Sequence, residues 1–150
     1  MEQPTWLSNF IAVYEKLGTD NLAELQQIYA DKVVFEDPMH RFDGLEALMA
    51  YFEDLYTHLK ECDFKVVECF HSDNQAALYW RMSYVHPRLN KGKRVTVEGH
   101  TLIKGEGEQV VFHRDYLDIG AMLYEQVPLL GFLVKAIKKR AGKQAKSVAA

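Results

Sequence analysis

The sequence predicts an α+β fold: N-terminal helices packed in the concave face of a curved, mainly antiparallel sheet, with a further helix at the C-terminal end. Three observations predict it. Apolar residues recur at helical spacing through most of the first 60 positions. From Asp63 the pattern changes to β-branched and aromatic runs separated by turn residues, the mark of strands joined by short connections. After residue 118 the chain turns strongly apolar and then basic. With 150 residues, 48% hydrophobic and 26% charged, the composition fits one globular domain with a real core.

The elements follow in order. Residues 4 to 17 read as a helix, opened by Pro4 and carrying Trp6, Leu7, Phe10, Ile11, Val13, Tyr14 and Leu17. Gly18 closes it. Thr19, Asp20 and Asn21 offer caps for a second helix with Leu22, Leu25, Ile28 and Tyr29. Val33, Val34 and Phe35 then read as a short strand ending at Asp37. Met39 to Asp43 reads as a loop, and Gly44 leads into a third helix over residues 45 to 60. Strands are expected over 64–70, 76–85, 94–103 and 109–117, with turns at Ser72-Asp73-Asn74 and Gly105-Glu106-Gly107-Glu108. Two units are expected: a domain over 1–118 and an apolar, basic helical extension and tail over 119–150.

The local stretch with most chemical interest is Glu36-Asp37-Pro38. Proline fixes its own φ and pushes Asp37 into an extended conformation. A carboxylate held at a strand end behind apolar residues suits proton transfer. The plain alternative is that Asp37 caps a turn. Strand alternation supplies further candidates. Trp80, Met82 and Tyr84 share a parity that needs an apolar surrounding, so they belong on the concave face. His113 and Asp115 share one parity, and Glu98, His100 and Leu102 another. If His100, His113 and Asp115 face inward with Asp37, an apolar cavity holds two imidazoles and two carboxylates, the usual mark of a ligand or active site.

Other classes are disfavoured. A formal net charge of -3 does not favour nucleic acid as a partner. Cys62 and Cys69 lack metal-finger spacing and are expected as reduced thiols of a cytoplasmic protein. No secretory leader is expected from the Glu2-bearing start. No local histidine spacing supports a metal, and there is no phosphate loop or nucleophile elbow. No cofactor is expected. The last section is too short and interrupted to span a bilayer. Its uses are to cover the domain's own opening, to pack on a partner subunit, or to lie on an anionic membrane; packing within the protein is the commonest.

The order of elements and the segment Leu25 to Pro38 resemble the NTF2-like superfamily, and within it the ketosteroid isomerase and SnoaL-like polyketide cyclase branch. Tyr14, Gly44 and the hairpin from Gly92 to Asp118 also match, so the resemblance covers roughly residues 5 to 118. It implies a cone with a deep pocket, a homodimer, and cofactor-independent acid–base chemistry of isomerase, cyclase or dehydratase type on an apolar carbonyl compound. By that resemblance Asp37 is the general base and Tyr14 a donor to the oxyanion. The second donor position falls on His100 or Thr101, where the isomerases carry a protonated aspartate, so that pattern is broken. Asp115 then orients His113 or His100, while Trp80, Met82, Tyr84, Phe52 and His40 form the ligand-binding set. Other members of the superfamily bind ligands or proteins without catalysis, and the fold leaves that choice open.

Overall fold

The computed structural model describes residues 2–149 of the chain. Helix α1 spans Thr5–Lys16 and buries Trp6, Leu7, Phe10 and Tyr14 along one stripe. A single 3₁₀ turn, Leu22–Glu24, leads into the short helix α2, Leu25–Ile28. Strand β1 is Tyr29–Glu36, β2 is Arg41–Asp43, and helix α3 is Leu45–Thr57. Four long strands follow: β3 Glu61–His71, β4 Gln75–Val85, β5 Val95–Glu106 and β6 Gln109–Leu117. The chain ends in α4, Ile119–Met122, a 3₁₀ turn at Tyr124–Gln126, and α5, Leu130–Ala149.

The strands form one open sheet in the order β2-β1-β6-β5-β4-β3. All neighbours are antiparallel except β1 and β6, which run parallel. Helices α1 and α3 supply Phe10, Tyr14, Leu48 and Phe52 to a core completed by Tyr29, Phe35, Leu78, Trp80 and Ile103 from the sheet. Full burial of each such side chain stabilises the fold by about 1.5–3 kcal/mol.

Two glycines let tryptophans lie flat on strand β5. A Cβ at Gly99 would collide with the Trp80 indole, and one at Gly105 with the Trp6 ring. The Trp6 indole N–H also donates to the Asp73 carbonyl at 3.1 Å, pinning the start of α1 to the β3–β4 turn.

Several expectations need correction. Tyr29 begins β1 rather than ending the second helix. The loop before Gly44 contains a short strand, because Phe42 pairs with Phe35 and stacks near it. A bulge between Val66 and Glu68 shifts the parity of β3, so Phe70 is exposed although Phe64 faces inward. Helix α5 meets the body chiefly through the Tyr124–Gln126 turn, and most of its residues over 130–143 are exposed. Met1 and Ala150 lie outside the described residues.

Candidate functional site

The concave face of the sheet and the helices above it enclose a cavity of about 390 Å³. Phe35, Phe52, Phe64, Trp80, Met82, Tyr84 and Leu117 give it an apolar wall. Asp37, His40, Asp54, His86, His113 and Asp115 also line it, and among the described residues no lysine or arginine does. Ile119, Met122 and Leu123 around α4 form a further border of the cavity, and among the described residues none of α5 lines it. Tyr84 fixes that border by donating its hydroxyl proton to the Met122 carbonyl.

The deep wall carries an unbroken hydrogen-bond chain built from α1, β1, β6, β5 and β4. Tyr14 and Tyr29 hydroxyls lie 2.5 Å apart, and Tyr29 Oη is 2.8 Å from His113 Nδ1. His113 Nε2 is 2.6 Å from Asp115 Oδ1. Thr101 Oγ1 donates to the same carboxylate oxygen at 2.6 Å and accepts from Trp80 Nε1 at 2.7 Å. The direction of the chain follows from its ends. An indole N–H only donates, so the Thr101 proton must go to Asp115. With Nε2–H given to Asp115 Oδ1, His113 Nδ1 is left to accept from the Tyr29 hydroxyl. His113 is 2% exposed, so both ring nitrogens need these partners. Burial, the first cause, holds the Tyr14 and Tyr29 phenols well above their ordinary pKa, so both keep their protons.

Asp115 keeps one resource free. Among the described residues nothing in the chain bonds to Oδ2, while its side chain is 21% exposed and borders the cavity.

A second carboxylate–imidazole pair sits nearer the mouth, in the turn after β1. Asp37 Oδ1 accepts from the backbone N–H of Met39 at 2.8 Å and of His40 at 2.7 Å. His40 Nδ1 lies 3.1 Å and 3.2 Å from the two Asp37 oxygens. Tyr51 donates to Oδ2 at 3.3 Å. Burial first, and the Asp37 charge second, push the Tyr51 phenol above its ordinary pKa. Pro38 therefore does two things: it makes the turn that Asp37 caps, and it keeps the capped carboxylate on the cavity side. His40 is held at Nδ1 between Phe42 and Tyr51, which leaves Nε2 for other partners.

The structure thus brings Asp37, His40, Phe52, Trp80, Met82, Tyr84, His113 and Asp115 to one cavity. Tyr14 also borders it, but its hydroxyl is engaged with Tyr29. His100 is the correction. It sits on the outer face of the sheet, between the rings of Tyr79 at 4.7 Å and Tyr116 at 5.7 Å. The inward parity of β5 belongs to Val95, Val97, Gly99, Thr101 and Ile103, and Thr101 takes the inner seat. The apolar bias of that parity was the available signal. Sequence reasoning also missed Tyr29, which a break in the β1 pairing between Tyr29 and Val34 concealed, and Tyr51.

Known proteins fit this architecture. Residues 10–113 match the family model of the SnoaL-like domain. A protein from Jannaschia sp. CCS1, whose assignment as a SnoaL-like polyketide cyclase is provisional, aligns with a TM-score of 0.72 at 13% identity, covering 83% of this chain and 92% of its own. An NTF2-like protein of unknown function from Burkholderia pseudomallei gives 0.72 at 15% identity, covering 85% and 99%. A hypothetical protein from Catenulispora acidiphila with a ketosteroid isomerase-like fold, solved with trimethylamine, gives 0.70 at 12% identity, covering 82% and 93%. No curated protein sequence matches the chain. At these identities the solved structures speak for the fold alone, an NTF2-like cone, and the match over residues 10–113 carries the assignment: the chain belongs to the SnoaL-like family.

Proposed function

We propose that the chain binds an apolar carbonyl compound in its cone and moves a proton beside the carbonyl without a cofactor. The observation that carries this reading is the facing of two carboxylate–imidazole pairs, Asp37–His40 and Asp115–His113, onto one cavity with an apolar wall. An enolising substrate needs a base for the C–H proton and a donor for the oxygen that gathers charge. Asp115 suits the base, since Oδ2 has free lone pairs while Thr101 and His113 hold Oδ1. His40 is the candidate donor, since Asp37 holds its Nδ1 and leaves Nε2 for the substrate oxygen. The proton passes from carbon to Asp115 Oδ2, the electron pair moves to the carbonyl oxygen, and reprotonation at another carbon completes an isomerisation with no change of oxidation state. Asp37, first expected as the base, takes the orienting role because each of its oxygens already accepts a donor. Tyr14 acts through Tyr29 and His113 rather than on substrate.

Deuterium exchange at the carbon beside the carbonyl of bicyclic ketone and enone probes tests this, read by proton NMR in heavy water. The wild type is expected to exceed buffer, and Asp115→Asn to lose about 10²–10⁴-fold of that excess with its melting unchanged. A wild-type rate equal to buffer, or an undiminished Asp115→Asn, overturns the reading.

A binding role without chemistry has its own support, because both nitrogens of His113 are committed inside the protein. Probes that bind without exchange would establish it. For assembly, the aromatic row Phe70, Tyr79, His100 and Tyr116 on the outer sheet face supports a homodimer through that face, to be read from the particle mass in solution.

A further inference from the structure

Helix α5 presents an apolar stripe and a basic border that the protein leaves uncovered. Leu130, Leu133 and Ile137 fall at i, i+3 and i+7, on one side of the helix. Leu133 is 57% exposed, Ile137 68%, and the neighbouring Phe132 77%. Arg140, seven residues past Leu133, borders the stripe, while Lys135, Lys139 and Lys143, at i, i+4 and i+8, run beside Phe132 on the next side of the helix. Among the described residues none of these four cations meets a carboxylate. Lys138 does: it reaches Asp118 at 2.5 Å and Glu125 at 2.9 Å, which ties the helix to the body and fixes which side faces out.

Charge decides among the occupants. Residues 129–150 hold six of the chain's 18 Lys and Arg and none of its 21 Asp and Glu. Two copies of the helix laid together on the exposed Phe132 and Leu133 side would bring Arg140 and Lys143 of one against those of the other. The cavity mouth is no occupant either, since its lining stops at Leu123. An anionic lipid surface satisfies both parts at once, taking the apolar residues at the acyl boundary and the cations among phosphates. No described helix is long and apolar enough to cross a membrane, so the contact lies in the plane of the surface.

We propose that α5 is a peripheral anchor that lays Phe132, Leu133 and Ile137 into an anionic bilayer, with Lys135, Lys139, Arg140 and Lys143 on its headgroups. The whole chain would be sedimented with phosphatidylcholine vesicles, with and without phosphatidylglycerol. Binding is expected with the anionic vesicles, and to fall about tenfold or more as salt is raised, because salt screens the attraction between exposed cations and the headgroups. A Lys135→Gln, Lys139→Gln, Arg140→Gln variant is expected to lose the preference for anionic vesicles. Leu133→Gln with Ile137→Gln is expected to abolish binding while leaving melting unchanged, since both side chains are exposed. Wild type remaining in the supernatant with anionic vesicles at low salt overturns the proposal. So does a Leu133→Gln, Ile137→Gln variant that binds as well as wild type. A particle mass that falls in that variant, with no vesicle binding by wild type, would give the stripe to a second copy and overturn it as well.

Discussion

His113 Nε2 lies 2.6 Å from Asp115 Oδ1, two residues along one strand, with both side chains on the same face. The pair is the centre of a chain that runs from the Tyr14 hydroxyl to the Trp80 indole, through five bonds and five secondary-structure elements. Each donor in it has one acceptor, so loss of an acceptor leaves a buried donor unpaired.

Thr101 is the member whose loss is easiest to read. Thr101→Val keeps the shape but removes the acceptor of the Trp80 N–H and one of the two donors to Asp115. A buried donor left unpaired costs about 1–3 kcal/mol. Urea unfolding should show that loss, with faster exchange of the Trp80 indole proton. Thr101→Ser should restore both.

Stability should fall in alkali. Burial holds the Tyr14, Tyr29 and Tyr56 phenols well above their ordinary value and pushes Tyr84 up to about 12. The folded pKa values are raised, so the stability these groups contribute is complete below the unfolded value of about 10 and is lost as pH rises through the folded values. In that window the unfolded chain releases protons that the folded chain keeps. Each fully buried tyrosine then costs up to about 1.4 kcal/mol per pH unit. Denaturant melts at stepped alkaline pH should show the decline, with a shallower slope in Tyr29→Phe. Flat stability across the window would contradict the burial assigned to these hydroxyls.

Gly99→Ala should destabilise by about 1–3 kcal/mol, the usual cost of overpacking a core. The cause is specific: the added methyl meets the Trp80 indole. In a Trp80→Phe background the same change should cost much less, and a double-mutant cycle would measure that coupling. Equal cost in both backgrounds would place the strain elsewhere.

His100→Ala should leave proton exchange and ligand affinity at wild-type levels, because its ring stacks between Tyr79 and Tyr116 on the outer face. A loss comparable to that of Asp115→Asn would return His100 to the cavity.

The architecture was legible in the sequence because helical spacing and strand alternation are local patterns. Trp80, Met82 and Tyr84 are inward for the reason their sequence suggests: only an apolar surrounding suits that parity. His113 and Asp115 followed from alternation in β6, whose pairing with β5 runs without a shift from Phe112 to Leu117. His100 did not, because its histidine drew attention away from Val95, Val97 and Ile103, whose parity marks the inward side of β5. Tyr29 was hidden for a different reason. Its strand pairing with β6 shifts register before Val34, and no local pattern reports a shift set by a strand some eighty residues away. The uncovered surface of α5 was equally illegible, since an amphipathic pattern states that one side is apolar and not what it meets.

The parallel pairing of β1 with β6 has a consequence for biosynthesis. Tyr29 and His113 are separated by 84 positions, so the ribosome must deliver most of the domain before they can meet. Until then the nascent N-terminal third holds Phe10, Tyr14, Val33 and Phe35 without the strand that shields them, a span in which chaperone protection matters most. The last long strand to emerge both joins β1 to the rest of the sheet and delivers the His113 imidazole, so a chain stalled before it would lack both.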